Sequence, residues 1–330
     1  MQGTRRILVT GATGKVGRAF VARVLSDPRF QHWSVRALCH ERVLEAGPRL
    51  EVVRGSMSER ADVTRAVEGV THVLHLATCK ELPDRIMDVA VKGFFFLLEA
   101  CRESSTLEQL VLIGGDAAVG HSTYPRSIPV TESESHRAYP GSYALSKVLE
   151  EVMLEQYFIQ HDLNGCCLRA PWIMEKDDLK QHLSFARDAF GAPSFRALVG
   201  ESAADAHAKA GAIPILLDPH GVPVKRNFVH VDDLVSCILL ALDNEKATQQ
   251  LFNVGMDEPV DYGALGAYLQ ASRGISSVPV KGDLFSVWLD NSKAKLVLDF
   301  RPQYDLKRLV DSAFDYVRAP EDPRKIHYPG

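Results

Sequence analysis

Short runs of consecutive apolar residues recur along the first half of the chain, spaced by about the length of a helix. They cover residues 6–10, 33–38, 50–53, 72–76, 109–113 and 165–168. A short, mainly apolar run of this kind belongs to a strand covered on both faces. The intervening segments 15–26, 59–68, 85–103 and 142–160 carry helical spacing, with Pro28 and Pro83 expected as breakers outside them. Strand alternating with helix predicts an α/β fold built on a doubly wound parallel sheet.

After Arg169-Ala170-Pro171 the rhythm gives way to a less periodic stretch rich in Ala, Asp and His, up to about residue 220. A smaller C-terminal α/β lobe is expected there, so the chain divides into 1–170 and 171–330, with 226–242 returning to the first unit. Residues 226–231 and 251–254 read as strands, and 232–242, 262–272 and 306–317 as helices. The tail 318–330, with Pro320, Pro323 and Pro329, is expected to be a surface extension.

Composition narrows the class. Of 330 residues, 46% are hydrophobic and 24% charged, which excludes a disordered polymer, a collagen-like fibre and a small disulfide scaffold. Lys and Arg number 38 against 42 Asp and Glu, a net charge of −4, so no basic field exists to hold a nucleic acid. The longest apolar run, near 93–98, falls far short of the ~20 residues that span a bilayer, and a cytoplasmic protein is expected. Cys39, Cys79, Cys101, Cys166, Cys167 and Cys237 show no CxxC spacing and are expected to be buried free thiols, with no metal site.

Candidate chemistry begins where the first strand ends, at Thr10-Gly11-Ala12-Thr13-Gly14-Lys15-Val16-Gly17. Gly11 permits a tight turn, Gly14 lets backbone approach a pyrophosphate, and Gly17 lets the helix pack close to the sheet. The helix N-terminus then offers N–H groups and a positive dipole to phosphates. This is the phosphate loop of a Rossmann-type sheet. At the end of the second strand, where an acid would bind the adenosine ribose, stands Cys39, followed by His40, Glu41 and Arg42. His40 and Arg42 favour a 2′-phosphate and hence NADP; Glu41 turned inward would favour NAD.

Tyr143-Ala144-Leu145-Ser146-Lys147 adds an acid/base pair, because residues four apart share a helix face. A phenol titrates at about 10 in water, and an adjacent ammonium stabilises the phenolate by about 1.4 kcal/mol per unit of lowering. With these motifs the chain resembles the extended short-chain dehydrogenase/reductases, specifically the NAD(P)-dependent epimerase/dehydratase group, over nearly its whole length. Arg226-Asn227-Phe228-Val229-His230-Val231-Asp232-Asp233 and Leu251-Phe252-Asn253-Val254-Gly255 are similar to that group's substrate-lobe signatures. The resemblance implies that Leu76, Ala77 and Thr78 after the fourth strand, Ser56 and Met57 near the adenine, and Pro171 beside the nicotinamide line the cofactor. It also implies that Tyr143 exchanges a proton with substrate while Lys147 tunes it and holds ribose. Arg226 would bind a phosphate or carboxylate bidentately, and Trp172 would wall the pocket. His75 and His230 are expected to be structural.

Two departures stand out. The group commonly has Ser or Thr after the fifth strand to polarise the substrate oxygen, where this chain has Asp116. An ionised Asp only accepts hydrogen bonds, so Ser122 or Thr123 would have to supply the donor, or Asp116 would orient a polyol by accepting from it. Ala90 stands where the group has Asn, and Ala117 or Ala118 where sugar-nucleotide dehydratases have Glu. Segments 85–103 and 142–160 carry apolar residues around more of the helix than one sheet contact needs, which predicts a homodimer through these helices. The expected function is NAD(P)-dependent redox or epimerisation at a hydroxyl or carbonyl of a sugar, sugar acid or nucleotide sugar. The alternatives are a catalytically weak NADP-sensing regulator and a simple carbonyl reductase.

Overall fold

The computed structural model describes residues 5–189, 191 and 193–322. Strands β1 (Arg5–Thr10), β2 (Trp33–Cys39), β3 (Leu50–Arg54), β4 (His72–His75), β5 (Gln109–Gly115) and β6 (Gly165–Ala170) alternate with helices α1 (Lys15–Ser26), α2 (Arg60–Val67), α3 (Pro83–Ile86), α4 (Gly93–Glu103) and α5 (Ser142–His161). Then follow β7 (Trp172–Met174), α6 (Asp178–His182), α7 (Phe195–Val199), α8 (Glu201–Lys209), β8 (Ile213–Leu217), β9 (Lys225–Arg226), β10 (Phe228–His230), α9 (Val231–Ala241), β11 (Gln250–Asn253), β12 (Val260–Asp261), α10 (Tyr262–Arg273), β13 (Ser277–Lys281), α11 (Ser292–Leu298) and α12 (Leu306–Asp315).

Seven strands form one parallel sheet in the order β11-β6-β5-β4-β1-β2-β3. The fold is the Rossmann-type α/β arrangement that the sequence pattern implied. Successive residues of β1 explain why the pattern is a continuous apolar run: Ile7 and Val9 enter the core on the α1 and α9 face, and Leu8 enters the core beneath α2, α4 and α5. Of the expected segment 226–242, α9 packs on the first core while β9 and β10 pair outside the sheet; β11 joins the sheet, and Leu298 and Phe300 close the same core. A third core, with Phe185, Phe195, Tyr262 and Leu265, sits under the parallel pair β8 and β13 in the C-terminal lobe. The expected tail from residue 323 onward lies outside the described residues.

The expected single helix over 85–103 is broken. Pro83 lies in the first turn of α3, where its missing N–H costs nothing, so it starts a helix instead of preceding one. Met87–Lys92 then form a wide π turn before α4. A Cβ on Gly93 would lie 2.7 Å from the Met57 carbonyl oxygen, so glycine lets the start of α4 press onto the loop after β3.

Candidate active site

The order reverses between β1 and β4, and a crevice opens beyond the carboxyl ends of these two strands. Gly11 turns there with φ of +66°, and a Cβ on it would stand 2.8 Å from the Ala77 nitrogen. Gly17 is equally constrained, 2.5 Å from the Gly11 carbonyl oxygen by the same measure. Thr10 closes the floor: its hydroxyl oxygen accepts from the backbone N–H groups of Leu76 and Ala77 at 3.2 Å, so its proton goes to His75 Nδ1 at 2.8 Å. Burial pushes His75 down to about 3, so this ring is neutral and structural, stacked on Phe94. His230 is structural as well, accepting from the Asp232 N–H at the start of α9 and stacked on Tyr304.

α1 starts at Gly14 with no capping side chain and no acid in its first turn, which leaves its N–H groups and dipole to an incoming anion. Thr13, Val16 and Gly17 complete this loop, which fits a dinucleotide pyrophosphate. Lys15 turns elsewhere. Its ammonium donates to the Ile173 carbonyl at 2.8 Å and to the Asp178 carboxylate, fastening the loop to α6 of the C-terminal lobe.

At the adenine end Cys39 is buried, His40 exposed and Arg42 half-buried, and the exposed Glu41 lies 3.9 Å from Arg85. Ser56 donates its backbone N–H to Asp62 at 2.9 Å, and Met57 is buried beside it. Asp62, in the first turn of α2, is held below the usual carboxylate range by that N–H and by Arg65.

Tyr143 stands in the first turn of α5, half-buried against Cys79, Ile86 and Ala90. Ala90, on the π turn, thus packs where the group's usual asparagine would be polar. Glu81 gathers this end of the helix, accepting from the Ser142 hydroxyl at 3.1 Å and the Tyr143 N–H at 3.4 Å. Two ammonium groups flank the phenol: Lys80 lies 4.0 Å from the ring centroid and Lys147 5.8 Å. Lys147 is buried and donates to Glu150 Oε2 at 2.7 Å and to the Ile113 carbonyl at 3.3 Å. Burial pulls its ammonium down, but the charge of Glu150 and the Tyr143 oxygen outweigh that and hold it up, at about 12. The cost of burial falls on Glu150, whose carboxyl is pushed up. Glu81 and Lys80 carried no sequence signal, because only the fold brings them to Tyr143, whereas Glu150 stands three residues after Lys147 on the same helix, a spacing the sequence did show.

Asp116 opens a tight buried turn after β5, and its Oδ2 lies 2.6 Å from His121 Nδ1. The other ring nitrogen, Nε2, lies 2.7 Å from Arg226 Nη2. A guanidinium only donates, so Nε2 accepts and the proton sits on Nδ1, directed at Asp116. His121 reaches this position with φ of +45°, a left-handed backbone that costs a non-glycine residue about 1 kcal/mol or more. Arg226 lies 4.4 Å over the Trp172 ring and also bonds the Tyr262 hydroxyl, which has its own proton for His182 Nε2 at 2.7 Å. A continuous polar run therefore joins the core to the lobe, from Asp116 through His121, Arg226 and Tyr262 to His182. Trp172 is a half-buried wall beside it. Gly191 rests on the indole, where a Cβ would come within 1.9 Å of Cη2.

The two hydroxyls expected to supply the substrate's hydrogen-bond donor in place of Asp116 are differently placed. Ser122 is fully buried and its carbonyl accepts from the Phe285 N–H, while the half-buried Thr123 donates its N–H to the Gly120 carbonyl. Among the described hydrogen bonds, the side-chain partner of Asp116 is His121, which the sequence alone did not single out. Thr78 and the buried Pro171 lie on the chain directly after β4 and β6, at the carboxyl end of the sheet where the cofactor was expected.

The description "NAD dependent epimerase/dehydratase family" matches residues 7–255. This chain belongs to that family. It is an enzyme of the extended short-chain dehydrogenase/reductase type, as the motifs implied. UDP-glucuronate 4-epimerase 3 of Arabidopsis thaliana is 27% identical, the alignment covering 92% of this chain and 75% of that one. A dihydroflavonol 4-reductase of Zea mays is 26% identical over 48% of this chain and 50% of its own. Among solved structures, a short-chain dehydrogenase/reductase superfamily protein of Agrobacterium tumefaciens with bound NAD is 26% identical, with a TM-score of 0.78 over 94% of this chain and 96% of that one. The solved relative holds NAD, so the expected preference for NADP finds no support there. Among the described residues no helix is long and apolar enough to cross a membrane.

Proposed function

We propose that this family member epimerises a hydroxyl-bearing carbon of a nucleotide-linked sugar or sugar acid, using NAD and with Tyr143 as acid and base. The observation that carries this reading is the Tyr143 phenol, half-buried beside Cys79 with the ammonium groups of Lys80 and Lys147 4.0 and 5.8 Å from its ring centroid. Tyr143 takes the proton of the sugar hydroxyl and returns it when the configuration is reset. With its pyrophosphate held at the glycine loop, NAD would supply a hydride acceptor and donor. Lys147 and Lys80 set two ammonium groups beside the phenol, and Arg226 holds the anionic end of the substrate. The 4-epimerase likeness over nearly the whole chain supports a nucleotide sugar, and makes UDP-glucuronate the first substrate to assay.

Substituting Phe for Tyr143 is expected to lower turnover of UDP-glucuronate roughly a thousandfold while leaving the cofactor content unchanged. Near-normal turnover would overturn the role of Tyr143. Mass spectrometry of the small molecules released on denaturation reads the cofactor directly: stoichiometric NAD supports a hydride recycled within one molecule, and NADP would favour His40 and Arg42 as phosphate ligands. The reductase alternative rests on the likeness of about half of this chain to a dihydroflavonol 4-reductase, whereas Asp116, which only accepts hydrogen bonds when ionised, speaks against polarising a carbonyl. The same reading includes a homodimer through helices 85–103 and 142–160, supported by the exposure of Phe95, Leu145, Val152 and Ile159 on them.

A further inference from the structure

We propose that His121 is a proton-linked anion-binding residue: an anionic group arriving at Arg226 brings one proton from solvent onto His121 Nε2. The inference deepens the reading above and rests on Arg226 holding the substrate's anion. Before that group arrives, His121 Nε2 must present a lone pair, because the Arg226 Nη2 hydrogen points at it over 2.7 Å. The opposite nitrogen gives its proton to Asp116 over 2.6 Å. The three groups together are then charge-neutral, one carboxylate against one guanidinium with a neutral ring between them.

An anion at Arg226 changes this balance. It competes for the guanidinium donors and sets negative charge against the Nε2 lone pair, which is repulsive. Protonation turns Nε2 from acceptor into donor, so the ring gives one hydrogen to the incoming anion and keeps the other on Asp116. Negative charge then lies on both sides of the imidazolium, in a place where side chains are less than a fifth exposed and charges act strongly on one another. The other titratable group facing the ring among the described residues is Tyr139, with centroids 6.5 Å apart, and burial keeps its phenol protonated. A hydroxyl at position 116 could not hold this ring through a charge, so the departure at Asp116 and the presence of His121 have one explanation.

The test is nitrogen-15 NMR of histidine-labelled full-length protein saturated with NAD, so that the glycine loop is filled, with the His121 signals assigned by their loss in His121→Gln and inorganic pyrophosphate as the probe. At about pH 7.5 the expected free form is neutral with the proton on Nδ1, and saturating pyrophosphate protonates both nitrogens. Titration calorimetry in two buffers of different ionisation enthalpy is expected to show about one proton taken up per pyrophosphate. The affinity then rises about tenfold per unit fall in pH, and H121Q binds without uptake and without that slope. A free ring protonated on Nε2, a neutral ring in the saturated complex, uptake undiminished in H121Q, or no binding of pyrophosphate would each overturn the proposal. Failure to turn over UDP-glucuronate would count against the epimerase reading and leave these spectra interpretable.

Discussion

Lys147 keeps its ammonium between Glu150 and the Ile113 carbonyl, and both members of the ion pair are buried. Desolvating two charges is tolerable only while each has the other, so removing one leaves an orphan. Glu150→Gln is expected to lower unfolding stability by about 3 kcal/mol, measured by urea titration at neutral pH. A loss under about 1 kcal/mol would mean that water or another group satisfies Lys147 in the variant. The contrast between His121 and Tyr143 shows what a sequence displays at this scale. Tyr143 and Lys147 are legible because spacing on one helix puts them on one face, and the glycines because each answers a local backbone demand. His121, Lys80 and Glu81 are invisible until the chain folds, since the partners of His121 stand 5 and 105 positions away.

The strands and long helices were legible as elements because burial on two faces and the helical period both write themselves into consecutive positions. What escaped was any element whose cause lies in another part of the fold. The π turn at Met87–Lys92 follows from packing beside the Met57 loop, and α6, α7 and α8 in the lobe are too short to show a period. The helices also bear on assembly. Phe95 on α4 and Leu145, Val152 and Ile159 on α5 are 36–70% exposed, an apolar set that pairing with a second copy would cover. Sedimentation at micromolar concentration is expected to give a dimer, and Phe95→Glu a monomer with unchanged helix content. A wild-type monomer would remove the dimer from the proposed function.

Acid stability is a property of the whole molecule, set by histidines spread across it. Burial lowers His72 to about 4, His75 to about 3 and His230 to about 4, from an unfolded value near 6.5. In each case the unfolded chain binds the proton more readily, so their contribution is complete above about pH 6.5 and is lost as pH falls toward 4 and below. Each histidine can steepen the decline by at most about 1.4 kcal/mol per pH unit. Urea unfolding at pH 7 and pH 5 is expected to show a clear fall. His230→Asn, which keeps a good first-turn cap for α9, is expected to make it shallower. An unchanged slope would show that His230 binds its proton equally well in the folded and unfolded chain.

All six cysteines are buried, and they lie at different depths. Cys79 packs against Tyr143 at the crevice and Cys39 ends a strand beside it, whereas Cys101, Cys166 and Cys237 are embedded in the cores, where burial holds their thiols well above the ordinary range. A thiol in such surroundings is not a nucleophile until the chain around it opens. The rate at which an alkylating reagent reaches each sulfur therefore times local breathing at the crevice separately from global unfolding of the sheet. The native sequence carries its own set of clocks, with no label to introduce.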